Sequence, residues 1–321
     1  MDFFIFDDMK IGIDMMGGDF APLEAVRGIQ QYLQTDEQAA NIIMIGNEEE
    51  LMELAAEHEL PARSYSIAHA EQTIGMHEHP TRALKEKKQS SIAIGFQLLA
   101  AEETDAFISA GNTGAMLVAS LYNLKPLEGV LRPTISTIIP KENGTTGLLL
   151  DVGLNTDCKP EQLSQFAVMG SVYAQNILGI DNPRVALLNI GEEEAKGNLL
   201  AQATYPLLKE NRHINFTGNI EGRDIFLDKA DVMICDGFTG NIILKMAESL
   251  FEITHKKNLK HEYFDRFNFE NYGGTPVLGI SKPVIIGHGI SKALSFKNMI
   301  LLAQKMIAKN VMQQMKDELE S

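Results

Sequence analysis

Residues 10–19 read KIGIDMMGGD, a short apolar run that closes on Asp14 and passes into the glycine pair Gly17–Gly18. A run as continuously apolar as KIGID has no polar face to give to water. It therefore predicts a strand covered on both sides, as in a parallel sheet, and not a half-exposed hairpin strand. NIIMIG at 41–46 and RVALLNI at 184–190 have the same character. The full set of predicted strands is 10–14, 42–46, 64–68, 105–109, 134–139, 147–152, 184–190, 231–235 and 284–288. Amphipathic stretches at 48–59, 92–103, 161–179 and 242–251 separate them and predict helices. In the last, Ile242, Met246 and Leu250 recur at helical spacing and are expected to form one buried stripe. Such alternation predicts an α/β/α layered fold with a mostly parallel sheet.

Glycine recurs just after the predicted strands. The clusters are Asp14–Asp19, Ser109–Gly114, Asp151–Asn155, Asn189–Gly197 and Asp236–Asn241, with His288–Gly289 later. In open parallel sheets ligands bind beyond the carboxyl ends of the strands, where glycine lets backbone N–H groups approach an anion. A single cluster would be explained by turn closure. Five clusters, each with Asp, Asn or Ser, predict a shared anion site. No G-x-x-x-x-G-K-[ST] occurs, and no G-x-G-x-x-G follows the first strand. H-E-x-x-H, a Cys/His array and G-x-S-x-G are missing too, so zinc and elbow-type serine chemistry are not supported.

Composition sets the outer limits. The 321 residues suit one large α/β domain or two closely packed ones. The net charge of −15 argues against wrapping nucleic acid. Two isolated cysteines, Cys158 and Cys235, fit a reducing cytoplasm. No apolar run reaches transmembrane length. The first eight residues, MDFFIFDD, carry acids where a secretory signal needs positive charge. They are set apart as an N-terminal extension with a plausible start at Met9, ahead of a single domain over 9–321. A charged surface excursion is expected around 252–271, centred on KKNLKHEYFDR at 256–266.

The in-order blocks IDMMGGDFAP (13–22), MHEHPTRALKEKKQSS (76–91), SAGNTGA (109–115), RPT (132–134) and LLLDVGLN (148–155) form a recognisable pattern. NIGEEEAKGN (189–198), FTGNIEGRD (216–224), DVMICDGFTGNIILK (231–245), YGGTPVLGI (272–280) and IIGHG (285–289) continue it. From Lys10 onward the sequence resembles the acyl-ACP:phosphate acyltransferases of the PlsX type. The resemblance implies an isopropylmalate-dehydrogenase-like fold related to phosphotransacetylases, and a homodimer needing no cofactor. It implies transfer of a long-chain acyl group from acyl-acyl carrier protein (acyl-ACP) to inorganic phosphate. The acyl phosphate formed would feed a membrane glycerol-3-phosphate acyltransferase in phospholipid synthesis. Two departures stand out: the octapeptide, and a 250–272 segment shorter than the Lys-rich excursion the family uses for peripheral membrane docking.

That reaction asks for amides, Asn side chains and a cation, because phosphate attacks a thioester once it is desolvated and aligned. The candidate phosphate cradle is Gly17, Gly18, Asn112, Thr113 and Gly114. Lys196 is the candidate fixed charge, with an ion pair to Glu192 or Glu193 as its alternative. Asn241 is a candidate oxyanion or phosphate donor at the start of the Ile242 helix. Asp236 is a candidate to orient Lys196 or move a proton, and His288 is a candidate acid–base group or a bonded core histidine. Asp14 and Asp151 either contact substrate or hold loop amides, and Asn155 is a candidate phosphate or substrate contact. Arg82, Lys85, Lys87 and Lys88 are the densest basic cluster for docking the acidic carrier, with Lys256, Lys257 and Lys260 second. The competing readings are a phosphotransacetylase acting on short acyl-CoA, a dehydrogenase on the same fold, and a non-catalytic scaffold for lipid-synthesis enzymes.

Overall fold

The computed structural model describes residues 9–35, 40–259 and 261–320. The expected N-terminal extension and Lys260 lie outside the described residues. The strands are β1 Lys10–Asp14, β2 Asn41–Gly46, β3 Tyr65–His69, β4 Ala106–Ser109, β5 Thr134–Pro140, β6 Thr146–Leu150, β7 Arg184–Asn189, β8 Asn215–Glu221, β9 Val232–Ile234, β10 Thr275–Leu278 and β11 Val284–Ile286. The helices are α1 Leu23–Leu33, α2 Glu48–Glu57, α3 Pro80–Glu86, α4 Ser91–Ala100, α5 Thr113–Asn123, α6 Pro160–Tyr173, α7 Leu199–Glu210, α8 Gly237–Lys256, α9 Glu262–Asp265, α10 Ala293–Ala308 and α11 Val311–Glu320.

Where the sequence reading carries one domain over 9–321, the chain clusters into two compact units. The first is Met1–Lys125 with Phe269–Asn310, and the second is Pro126–Asn268 with Val311–Ser321. In the first unit the strand order is β3-β2-β1-β4-β11-β10, and every pair is parallel except β10–β11. In the second the order is β5-β6-β9-β7-β8, parallel except for β5–β6. The expected mostly parallel α/β architecture is therefore present, with one antiparallel pair at one edge of each unit's strands.

Ile11, Ile13, Ile42, Met44, Phe107 and Ile108 are fully buried, as double-sided strands require. Helix α1 lies against α10 and buries Ala25, Val26, Ile29 and Tyr32. The Tyr32 hydroxyl donates to Gln304 Oε1 at 2.6 Å and accepts from the Ala40 amide at 2.6 Å, so the buried phenol keeps its polar end satisfied. Helix α4 crosses Phe107 so closely that a Cβ on Gly95 would lie 2.1 Å from the ring. Burial of Leu148–Leu150, Val185–Leu187 and Val232–Ile234 forms the corresponding core of the second unit, under Phe166 and Met169 of α6.

Several sequence expectations are corrected. β8 and β10 were not expected. β8 reads NFTGNIE, with few apolar residues for an edge strand, and β10 has four residues including Pro276. The 161–179 helix runs as α6 and then a π-helical turn, Ala174–Leu178, that ends on Gly179 at φ +71°. The helix expected at 242–251 begins at Gly237, capped by the Asp236 side chain, and continues to Lys256. Its expected buried stripe faces outward: Ile242 is 53% exposed and Met246 54%. The buried face is instead Gly237, Gly240, Ile243 and Ala247, and the two glycines let the start of the helix approach the strand ends. After α8 the charged excursion is anchored, because Arg266 donates to the carbonyls of Lys141 and Thr145. Among the described residues no helix is long and apolar enough to cross a membrane.

Candidate functional site

In the first unit the candidate residues are organised around Asp14, fully buried at the end of β1. Its Oδ1 accepts the Met16 amide at 3.0 Å, and its Oδ2 accepts the Ser109 hydroxyl at 2.6 Å. Ser109 Oγ in turn accepts the Gly111 amide at 2.9 Å. Burial pushes the Asp14 carboxyl above its ordinary value against the pull of these donors. Asp14 thus ties the loop after β1 to the loop after β4. A Cβ on Gly17 would come 2.4 Å from Asp14 Oδ2 and 2.7 Å from the Gly111 nitrogen, so only glycine fits between the loops. At Gly18, φ is +104°, which glycine alone adopts without strain. The next amide, Asp19, donates to the Gly289 carbonyl at 2.7 Å and brings the loop after β11 alongside.

Asn112 caps α5, its Oδ1 accepting the Ala115 amide at 2.9 Å. Its Nδ2 donates to the carbonyls of Gly75 at 3.0 Å, Met76 at 3.2 Å and Glu78 at 3.0 Å. The side chain is therefore engaged with its own chain and fixes the 75–78 loop to the start of α5. Thr113 and Gly114 follow as the first two residues of the helix, where backbone N–H groups have no intrahelical acceptor. Thr113 is exposed, and a Cβ on Gly114 would meet Pro80 Cγ at 2.4 Å. His288 is half-buried, with its ring against Phe269 at 4.8 Å between centroids.

The second unit repeats the device with Asp151. Its Oδ1 accepts the amides of Gly153 at 2.8 Å and Leu154 at 2.9 Å. Its Oδ2 accepts Asn155 through the backbone N at 2.9 Å and through Nδ2 at 2.6 Å. Burial again raises the carboxyl. The start of α8 lies directly on this loop: a Cβ on Gly240 would be 1.8 Å from the Asp151 carbonyl oxygen. Asn241 Nδ2 donates to the Val152 carbonyl at 3.1 Å. Asp236 accepts both the Thr239 amide, at 2.8 Å, and the Thr239 hydroxyl, at 3.0 Å. Both Cys158 and Cys235 are held as thiols. Burial and then the Asp151 charge push Cys158 up to about 12, and burial pushes Cys235 up as well. Neither is poised as a thiolate nucleophile.

The comparisons with known proteins agree over most of the chain. A family model described as "Fatty acid synthesis protein" matches residues 9–314. A phosphate acyltransferase from Dictyoglomus thermophilum is 43% identical over 322 residues, covering 93% of this chain and 94% of that one. Another, from Thermoanaerobacterium thermosaccharolyticum, is 42% identical over 331 residues and covers 97% of each. The chain belongs to the phosphate acyltransferase family. Among solved structures, a phosphotransacetylase from Streptococcus pyogenes superposes with a TM-score of 0.67 at 18% identity, covering 94% of each chain. A branched-chain phosphotransacylase from Enterococcus faecalis V583 gives 0.61 at 14% identity, covering 93% of this chain and 99% of that one. At such identities the likeness is one of fold.

The remaining candidates of this family member are exposed, apart from Lys87, which is half-buried. Lys196 lies 4.0 Å from Glu193, the surface pair weighed as its alternative, while Glu192 pairs with Lys229 at 2.7 Å. Of the basic cluster, Arg82 is bonded to Glu86 at 2.9 Å and Lys87 to Glu78 at 2.6 Å. Lys256 pairs with Glu252 at 3.0 Å. Sequence reasoning missed Ser109 as the partner of Asp14, although it opens the SAGNTGA block, and Phe269 as the partner of His288. Among the described residues no group of three His, Cys, Asp or Glu is placed to hold a metal ion.

Proposed function

We propose that this protein transfers a long-chain fatty acyl group from acyl-ACP to inorganic phosphate. The observation that carries this reading is identity of 42–43% with phosphate acyltransferases over more than nine-tenths of both chains. A phosphate oxygen attacks the thioester carbonyl carbon, the tetrahedral oxyanion collapses, and the carrier's thiolate leaves, giving acyl phosphate and free ACP. No covalent enzyme intermediate is required, in keeping with two thiols held protonated. Alignment of the reactants contributes roughly 7–11 kcal/mol and each oxyanion donor roughly 2.7–4 kcal/mol.

We assign the phosphate to the strand ends of the first unit, with Gly18, Thr113 and Gly114 as amide donors and the Thr113 hydroxyl beside them. Asp14, Gly17 and Asn112 hold that cradle in shape, and Asp151 and Asn155 hold its counterpart in the second unit. Lys196 and Asn241 are assigned as the charge and the amide of the second unit, with Asp236 as the cap that fixes the helix bearing Asn241. His288 is assigned as the proton-handling group. The product feeds phosphatidic acid synthesis through a membrane glycerol-3-phosphate acyltransferase.

The outward stripe of α8, Phe238, Ile242, Met246 and Ile253, supports assembly as a homodimer through this helix, since such a stripe is a candidate partner surface. Incubation with palmitoyl-ACP and phosphate tests the reaction: phosphate-dependent release of ACP is expected. Turnover of acetyl-CoA with none of palmitoyl-ACP would instead favour the short-chain phosphotransacetylase reading that the fold neighbours suggest. Lys196→Ala and Asn241→Ala should each lower turnover about tenfold or more. Near-normal rates in both would remove them from the site.

A further inference from the structure

Helices α3, α4 and α5 of the first unit line a cavity of about 260 Å³ that includes none of the residues assigned above to phosphate. Leu84, Ala93, Val118 and the ring of Tyr122 give it apolar walls, and Lys85 and Lys88 stand at its edge. Tyr122 is 81% exposed, so the cavity opens on the surface. The four basic residues of this region divide by partner. Arg82 and Lys87 are neutralised by Glu86 and Glu78, whereas among the described residues neither Lys85 nor Lys88 has an ion pair. The two uncompensated charges are the two that flank the cavity.

We infer that this cavity receives an apolar side chain from an acidic helix of the acyl carrier, with Lys85 and Lys88 binding the carboxylates around it. The inference rests on the acyl-carrier reading above. On a chain of net charge −15 an acidic partner is repelled over most of the surface. It therefore needs a site where lysines are not already answered by the chain's own acids. A pocket that takes one apolar anchor between charges has the anatomy of an interface centre with a polar rim. A free fatty acyl chain and a second copy of the protein are the rival occupants.

Two donors with the same acyl group separate these cases: acyl-ACP and acyl-CoA. The double variant Lys85→Glu/Lys88→Glu should raise the KM for acyl-ACP about tenfold or more, because like charges now face each other, and leave kcat and the acyl-CoA reaction unchanged. Ala93→Phe, which narrows the cavity without altering charge, should also raise the KM for acyl-ACP alone. An equal rise for acyl-CoA would mean that the cavity holds the acyl chain, and would overturn the inference. So would an unchanged KM for acyl-ACP, or a shift in oligomeric state in the double variant. Binding of labelled ACP, followed by fluorescence anisotropy, reads the surface without turnover. A wild type that binds ACP but releases none would count against the reaction, while binding equal in wild type and double variant would count against this surface.

Discussion

The two ends of the parallel β6–β9 strand pair hold carboxylates by opposite means. At its start Asp231 accepts Lys141 Nζ at 2.6 Å and Arg184 Nε at 2.9 Å, and Lys141 is only 1% exposed. Burial alone would raise Asp231, but these bonds outweigh it and hold its carboxyl well below the usual range. Beyond the other end of the neighbouring strand β6, Asp151 meets only N–H groups of neutral amides, and its carboxyl is raised. Cations fix one end for stability. Amides fix the other without cancelling its charge or filling it with side chains, and this is the end where glycines gather.

The sharpest way to break the comparison is to remove Lys141. Lys141→Ala leaves Asp231 buried with half its compensation and should lower unfolding free energy by about 3–5 kcal/mol, measured by urea denaturation. Asp151→Asn should act less on stability, by about 1–3 kcal/mol, since one oxygen that accepts amides becomes a donor. Its larger effect should be on turnover, and an unchanged rate would separate the Asp151 loop from function. The smallest effect is in the pH dependence, and the two ends should differ in sign. Asp231 is depressed, so its stabilisation is present above the ordinary aspartate value of about 3.9 and is lost as pH falls through the folded value. Asp151 is raised, so its contribution is present below that ordinary value and is lost as pH rises through the folded one. Compared with wild type, Asp231→Asn should therefore be most destabilised at neutral pH, with the gap closing in acid. The deficit of Asp151→Asn should instead widen as the pH is lowered from neutral. Parallel pH profiles for the two variants would erase the distinction.

Legibility in the sequence followed distance along the chain. β1 was predicted residue for residue, because a double-covered strand writes its burial into every position. β8 was not, since NFTGNIE is half polar and its register with β7 shifts between Val185 and Leu187. Asp14 could be picked out as an acid closing an apolar run, but its partner Ser109 lies 95 residues away, and no local pattern joins them. For α8 the period was legible while the side facing the core was not. Hydrophobicity favoured Ile242 and Met246, yet the close approach of Gly240 to Asp151 decides the orientation. The glycines read as loop are in part the first turns of helices, at Gly114 and Gly237, set against strand ends.

The bonding of Asn112 has a chemical consequence of its own. One carboxamide presents its NH2 to three carbonyls and its oxygen to one amide, and only a neutral group with that polarity fits. Deamidation, the slow hydrolysis of Asn to Asp, changes the side chain by a single atom and leaves its shape intact. Here it would turn a clasp into a repulsion, with a negative charge facing three carbonyl oxygens at the mouth of α5. The isosteric change Asn112→Asp mimics that lesion, and loosening of the 75–78 loop from the start of α5 is its expected consequence.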